Sequence, residues 1–166
     1  MNKIILDPCC GGKMFWFDKQ NPHVLFCDNR EVSTVANDGR NFEVAPDIVC
    51  DFQNLPFPDK QFVHVVFDPP QMLYAGRGGQ MALHYTVLPK EWQSVIKAGF
   101  DECWRVLADN GTLIFKWSEH DIPLKKVLDV IGREPLYGHK SGKRSMTHWL
   151  AFVKTDGSSS VRKTQI

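Results

Sequence analysis

Four short apolar runs, each closed by an aspartate, constrain this chain more than any other feature. Lys3 to Leu6 ends at Asp7-Pro8, His23 to Cys27 at Asp28, Asp47 to Cys50 at Asp51-Phe52, and Val63 to Phe67 at Asp68-Pro69-Pro70-Gln71. Runs of β-branched and aromatic residues of this length read as buried strands. Two prolines end the last run sharply, because neither can donate to a ladder. In an open parallel sheet the carboxyl ends of the strands share one edge, where such folds bind ligands. Four carboxylates therefore converge on one crevice. Any single strand-end Asp reads equally well as a cap, but four in succession, with Gly11-Gly12 after the first, point to a site.

The remaining pattern predicts a mainly parallel α/β sheet. Met14 to Asp18 reads as a helix or turn and Arg30 to Val35 as a short helix. Pro89 is placed to start a helix whose apolar face is Trp92, Val95, Ile96, Phe100, Cys103, Trp104 and Leu107. Asn110-Gly111 stops it, Thr112 to Trp117 is a fifth strand, and Pro123 to Ile131 a further helix closed by Gly132. Two last strands, near Leu136 to His139 and His148 to Lys154, read as an antiparallel hairpin at the sheet edge. With strands alternating with helices, residues 1–154 read as one domain. The segment 155–166 is Ser-rich and reads as a disordered tail. Residues 71–88, with Gly76, Gly78 and Gly79, read as a long mobile loop of the kind that is either functional or disordered.

Composition narrows the class. With 166 residues, 43% of them hydrophobic and 23% charged, the chain suits one ordinary globular core. No window resembles a signal peptide or a membrane span, so the expectation is a cytoplasmic protein without a membrane partner. Cys9, Cys10, Cys27, Cys50 and Cys103 show no paired spacing, which favours reduced thiols over a metal site. From Lys140 onward, Lys140, Lys143, Arg144, Lys154, Arg162 and Lys163 face the single acid Asp156, a basic end that suits a polyanion. His64 reads as a packed strand histidine and His84 as a solvated one.

Gly11 and Gly12 allow backbone to approach a ligand closely. Asp28 follows Gly11 by 17 positions, near the offset at which an acid reaches ribose hydroxyls. The run Cys10-Gly-Gly-Lys-Met-Phe15 lacks the dinucleotide fingerprint, and no phosphate loop of the Walker type is present.

Asp7-Pro8-Cys9-Cys10-Gly11-Gly12 together with Asp68-Pro69-Pro70 resembles class I S-adenosylmethionine-dependent methyltransferases, most closely the amino-methyltransferases of DNA and RNA. These carry an Asp-Pro-x-x-Gly turn after the first strand and an Asp/Asn-Pro-Pro-aromatic motif after the fourth. The resemblance implies a Rossmann-like, seven-stranded sheet with S-adenosylmethionine as cofactor. It places Asp7 and the backbone of Pro8, Cys9, Cys10, Gly11 and Gly12 at the methionine part, Asp28 with Asn29 at the ribose, and Asp51 with Phe52 at the adenine. Asp68 and the Pro69 carbonyl, held by Pro70 and Gln71, would orient the target amine. Two positions depart from the pattern. Lys13 replaces the family's second glycine, and Gln71 replaces the aromatic that stacks on an extruded base. Tyr74, Arg77 and Tyr85 in the loop, and Lys140, Lys143 and Arg144 in the hairpin, are the candidate substrate contacts. The implied partner is nucleic acid, DNA ahead of RNA, with specificity from the loop, the hairpin, a homodimer partner or a separate recognition subunit. RNA or protein-glutamine methylation, or cofactor binding without catalysis, remain the alternative readings.

Overall fold

The computed structural model describes residues 3–35, 39–74, 86–142 and 145–155. A seven-stranded sheet has the order β5-β2-β1-β6-β7-β9-β8, built from β1 (Ile5–Asp7), β2 (Val24–Asp28), β5 (Ile48–Val49), β6 (Phe62–Phe67), β7 (Leu107–Ser118), β8 (Tyr137–Lys140) and β9 (Thr147–Val153). The strands from β5 to β7 are parallel, while β9 runs antiparallel to β7 and β8 antiparallel to β9. This is the mixed sheet with an antiparallel end that the sequence predicts.

Among the described residues two helices, α1 (Trp92–Val106) and α2 (Leu124–Ile131), pack on one face. Trp92, Ile96, Phe100, Cys103 and Val106 of α1 are buried against Phe67, Leu113, Phe115 and Phe152 of the sheet. Each such side chain contributes about 1.5–3 kcal/mol by leaving water. Gly99 sits where α1 lies hard against Phe52 and Phe67; a Cβ there would meet Phe67 Cζ at 2.9 Å and the Phe52 ring closer still. Arg105 donates to Glu102, Asp59 and the carbonyls of Phe57 and Leu55, which fastens the segment before β6 to the helix.

Several expectations need correction. Arg30 to Val35 contains no helix. Val32–Val35 forms β3, paired antiparallel with β4 (Asn41–Val44). The β-branched Val32, Thr34 and Val35 lose rotamer freedom in a helix and suit a pleated ribbon. Met14 to Asp18 takes the turn alternative, with Lys13 at φ 54° and successive Asx caps at Asp18 and Asn21. Strict strand–helix alternation therefore fails. Among the described residues no helix lies between β1 and β2 or between β5 and β6. α1 begins at Trp92 rather than Pro89, with Glu91 at its N-cap. Asn110-Gly111 is no stop, because β7 starts at Leu107 and absorbs the pair as an irregularity opposite Phe62 and His64. The third strand shrinks to Ile48–Val49. The 71–88 loop is closed at its base by a Met72–Val87 bridge, with Leu88 N donating to Met72 O at 2.8 Å. Residues 75–85 and the tail from 156 fall outside the described set. No helix among the described residues is long and apolar enough to cross a membrane.

Candidate active site

Register places the chemistry. Side chains alternate across a sheet, so Leu6, Leu25, Val65, Phe67, Phe115 and Trp117 all point to the helix side. Asp7, Asp28, Asp68 and Lys116 take the opposite parity, at the carboxyl ends of β1, β2, β6 and β7. Phe67 is in register with Phe115, which sets Asp68 beside Lys116. The turn segment from Pro8 and the β3–β4 hairpin cover this second face. Gly12 lies near Phe42 and the Glu43 carbonyl, while Cys10, Val24 and Phe26 form a small core with Ile5 and Trp16.

Asp7 is completely buried. It accepts from Trp16 Nε1 at 2.7 Å and from Cys9 N at 3.2 Å. Burial raises its pKa from 3.8 to about 7, the two hydrogen bonds oppose the shift, and the charges of Asp68 and Asp28 add to it. Asp28 ties two pieces of the turn together, accepting from Gly11 N at 2.9 Å and from Arg30 N at 3.0 Å. The Arg30 guanidinium pairs with it at 3.3 Å. Gly11, at φ 47°, adopts the left-handed conformation that brings its N–H to Asp28.

Asp68 is held on both oxygens. Lys116 Nζ lies 2.5 Å from Oδ2, and Gln71 Nε2 donates to Oδ1 at 2.6 Å. Burial pushes the Asp68 pKa above 3.8, and Lys116 and Gln71 pull against it. Gln71 also donates to Lys116 O at 3.1 Å and accepts from Ser118 N at 2.7 Å. Its amide thus clasps Asp68 to the end of β7, a packing role rather than the stacking role of an aromatic.

One cavity runs along the glycine turn. Its walls are Pro8 to Gly12, Met14, Phe15, Asp28 to Arg30, Phe52, Asp68 to Pro70, Thr86 and Lys116. A second cavity, lined by Gln71, Met72, Tyr74, Lys116, Ser118, His120, Asp121 and Thr147, shares Lys116 with the first. Asp121 accepts from Leu73 N at 2.8 Å and anchors the start of the 71–88 segment. Tyr74 is 81% exposed at this second cavity.

Of the residues singled out in sequence, Pro8, Cys9, Cys10, Gly11, Gly12, Asp28, Asn29, Phe52, Asp68, Pro69 and Pro70 meet at the first cavity. Gln71 and Tyr74 meet at the second. Asp51 does neither; it is exposed and its carboxylate caps Gln53 N at 2.9 Å. Lys140 lies away on the edge strand β8, paired with Glu119 at 3.3 Å. Arg77, Tyr85, Lys143, Arg144 and His84 lie outside the described residues. His64 is packed, with Nδ1 2.6 Å from Thr112 Oγ1 and its pKa lowered by burial. The thiols suit packing, since burial pushes Cys10 up to about 12 and Cys9 and Cys103 well above their ordinary value. Among the described residues no cluster of metal-binding side chains occurs.

Sequence reasoning missed Trp16, Arg30 and Lys116. For Lys116 a signal exists, a lone cation in the apolar run Leu113 to Trp117, on the parity opposite the core.

The residues fit a nucleoside-bearing cofactor. Asp28 and Asp68 put two carboxylates on the cavity wall beside a turn built of glycines, and Phe52 adds an aromatic wall.

No family model of protein sequence matches the chain, and no curated protein matches it. Solved structures do. The PH0226 protein from Pyrococcus horikoshii OT3 matches with a TM-score of 0.54 at 16% identity, covering 91% of this chain and 81% of that one. A Burkholderia thailandensis 1,6-didemethyltoxoflavin-N1-methyltransferase, solved with bound 1,6-didemethyltoxoflavin and S-adenosylhomocysteine, matches with a TM-score of 0.51 at 13% identity, covering 92% of this chain and 71% of that one. A SAM-dependent methyltransferase from Leishmania major gives 0.50 at 14% identity, covering 90% of this chain and 63% of that one. At these identities the likeness is one of fold. The chain has the α/β fold that these methyltransferases share.

Proposed function

We propose that this chain is an S-adenosylmethionine-dependent methyltransferase acting on an exocyclic amine of a nucleic-acid base, with DNA ahead of RNA and adenine N6 or cytosine N4 as the target. The observation that carries the reading is the position of Asp68. It lines the cavity beside the glycine turn, and its two partners, Lys116 and Gln71, line the cavity next door. One carboxylate thus stands where a cofactor and an acceptor would meet.

The bound cofactor supplies an activated methyl group on a positively charged sulfur. The chain's own groups account for the rest. Asp7, buried behind the turn, would act on the methionine portion through its charge and its hold on Cys9 N. The Gly11-Gly12 backbone would admit that portion, Asp28 and Asn29 would reach the ribose, and Phe52 would form a wall for the adenine. Asp68 and the Pro69 carbonyl accept hydrogen bonds from the target N–H groups and aim the nitrogen lone pair at the methyl carbon. With the cofactor bound, the new nitrogen–carbon bond would replace its carbon–sulfur bond, whose electron pair sulfur would keep. Positive charge grows on nitrogen beside the Asp68 carboxylate, and one proton then leaves to water. Proximity and a fixed charge supply the acceleration. Tyr74 or Tyr85 stands in for the missing aromatic at Gln71. Further target recognition falls to residues 75–85, the β8–β9 hairpin, a second copy of the chain or a separate subunit.

The test is incubation of the protein with radiolabelled cofactor and separate pools of duplex DNA, single-stranded DNA, RNA and protein. Label in DNA supports the proposal. Label in RNA alone or in protein alone moves the target, and tight cofactor binding with label in none favours a cofactor-binding protein without transfer.

A further inference from the structure

Lys116 is the one residue that lines both cavities among the described residues. Its stem leaves β7 on the parity of the acids, and its ammonium passes the rings of Phe15 and Trp149, 5.5 and 5.7 Å from their centroids, to end 2.5 Å from Asp68 Oδ2. An ammonium has three N–H donors. Among the described residues, Asp68 is the one hydrogen-bond acceptor of this group. Donors therefore remain at the divide between the two cavities, directly beside the carboxylate that would receive the target amine.

Resting on the reading above, we infer that Lys116 and Asp68 act as a donor–acceptor pair that selects the target edge: the accepted amine is one whose carbon also carries a ring-nitrogen acceptor. Asp68 takes the amine N–H while Lys116 donates to the neighbouring ring nitrogen, N1 of adenine or N3 of cytosine. A single carboxamide side chain reads an adenine edge with the same order of acceptor and donor. Two charged groups 2.5 Å apart suit two hydrogen bonds running side by side to atoms joined through one carbon. An alkylamine offers no such acceptor, so Lys116 would keep unmatched donors against it, and its ammonium form would meet Lys116 as a like charge. The walls agree with a planar target. Met72 and the exposed Tyr74 line the second cavity next to Lys116. Lys116 is thus a specificity residue at the reacting centre, and the clasp of Gln71 on Lys116 O and Ser118 N keeps its strand end in place.

The test uses the full chain with radiolabelled S-adenosylmethionine and oligonucleotides in which every adenine is replaced by 1-deazaadenine, or every cytosine by 3-deazacytosine. These analogues keep the amine and lose the ring acceptor. The wild-type protein should lose about tenfold or more in kcat/KM on the analogue of its target base, because a donor at the site is left unpaired. Lys116→Met should be slower on the natural base and should show little difference between natural and deaza DNA. Cofactor binding by this variant reports that it folds; if it does not fold, the wild-type comparison decides alone. Equal wild-type rates on both substrates, or an unchanged ratio in a folded Lys116→Met, would overturn the inference while leaving the methyltransferase reading intact. Label appearing in protein and not in nucleic acid would overturn the inference together with the nucleic-acid target, and leave methyl transfer itself standing.

Discussion

The two faces of the sheet are built on opposite terms. The helix-covered face is closed and apolar. Phe62, Phe67, Phe100, Phe115 and Trp117 are fully buried, and the one polar atom of Trp117 is satisfied by the Ile122 carbonyl at 3.0 Å. The opposite face carries Asp7, Asp28, Asp68, Lys116 and His64, and turns and a hairpin cover it where the other side has helices. The first face supplies the hydrophobic stability that lets the second bury charge at a cost. Period-2 alternation makes the division possible, since one strand delivers Phe67 to the core and Asp68 to the site in consecutive residues.

The contrast can be broken most strongly at Asp7. In the fold this carboxyl holds its proton up to about 7, against an ordinary value of 3.8. Between those values the unfolded chain has lost a proton that the folded chain keeps. The stability from this group is therefore fully present below about pH 4 and is lost as pH rises to about 7, an effect of about 4 kcal/mol. Denaturant melts of the cofactor-free protein at about pH 5 and about pH 8 should show that fall, and Asp7→Asn should flatten it. The same variant should lose cofactor affinity, whereas the wild-type protein should bind more tightly as pH rises through 7 and Asp7 ionises. A wild-type stability that is flat over this interval would contradict the assignment of Asp7 as a buried, poised acid.

Gly99 tests how the closed face supports the open one. Gly99→Ala drives a methyl group into Phe52 and Phe67, and Phe52 is also a wall of the first cavity. Overpacking of this kind should cost about 1–3 kcal/mol. Cofactor affinity should fall with it, read by calorimetry beside a thermal melt. Lost stability with unchanged affinity would separate the two faces more fully than the packing implies.

Lys13 should give the smallest effect. It takes a left-handed backbone conformation at φ 54°, and its ammonium lies 4.3 Å above the Phe26 ring. Glycine would relieve about 1 kcal/mol of backbone cost and forfeit a cation–π contact worth about 0.5–1 kcal/mol. Lys13→Gly should therefore leave the melting temperature nearly unchanged. A loss beyond about 2 kcal/mol would show that Lys13 supports more of the turn than this contact.

The closed face was the more legible of the two in sequence. The run Val63 to Phe67 and the helical stripe from Trp92 to Val106 carry their own periodicity, so the mainly parallel sheet and the apolar face of the helix followed from spacing. The strand-end acids were legible too, because position along a strand determines which edge a residue reaches. Side-chain partners on the open face were not. Gln71 read as a lost stacking residue, yet its amide reaches 47 positions along the chain to Ser118. Asp51 read as part of the crevice and turns away to cap Gln53. Arg30 to Val35 read as a short helix, although Val32, Thr34 and Val35 favour the ribbon they form. In each case a tertiary contact or a local cap decided among options that local pattern leaves equal.

Methyl transfer by this chain would depend most directly on Asp68. The central measurement pairs calorimetric S-adenosylmethionine binding with methyl transfer to DNA for the wild-type protein and Asp68→Ala. The expected result is cofactor affinity within a few-fold of wild type and transfer reduced by about two to three orders of magnitude. Transfer that survives Asp68→Ala, with cofactor still bound, would contradict it.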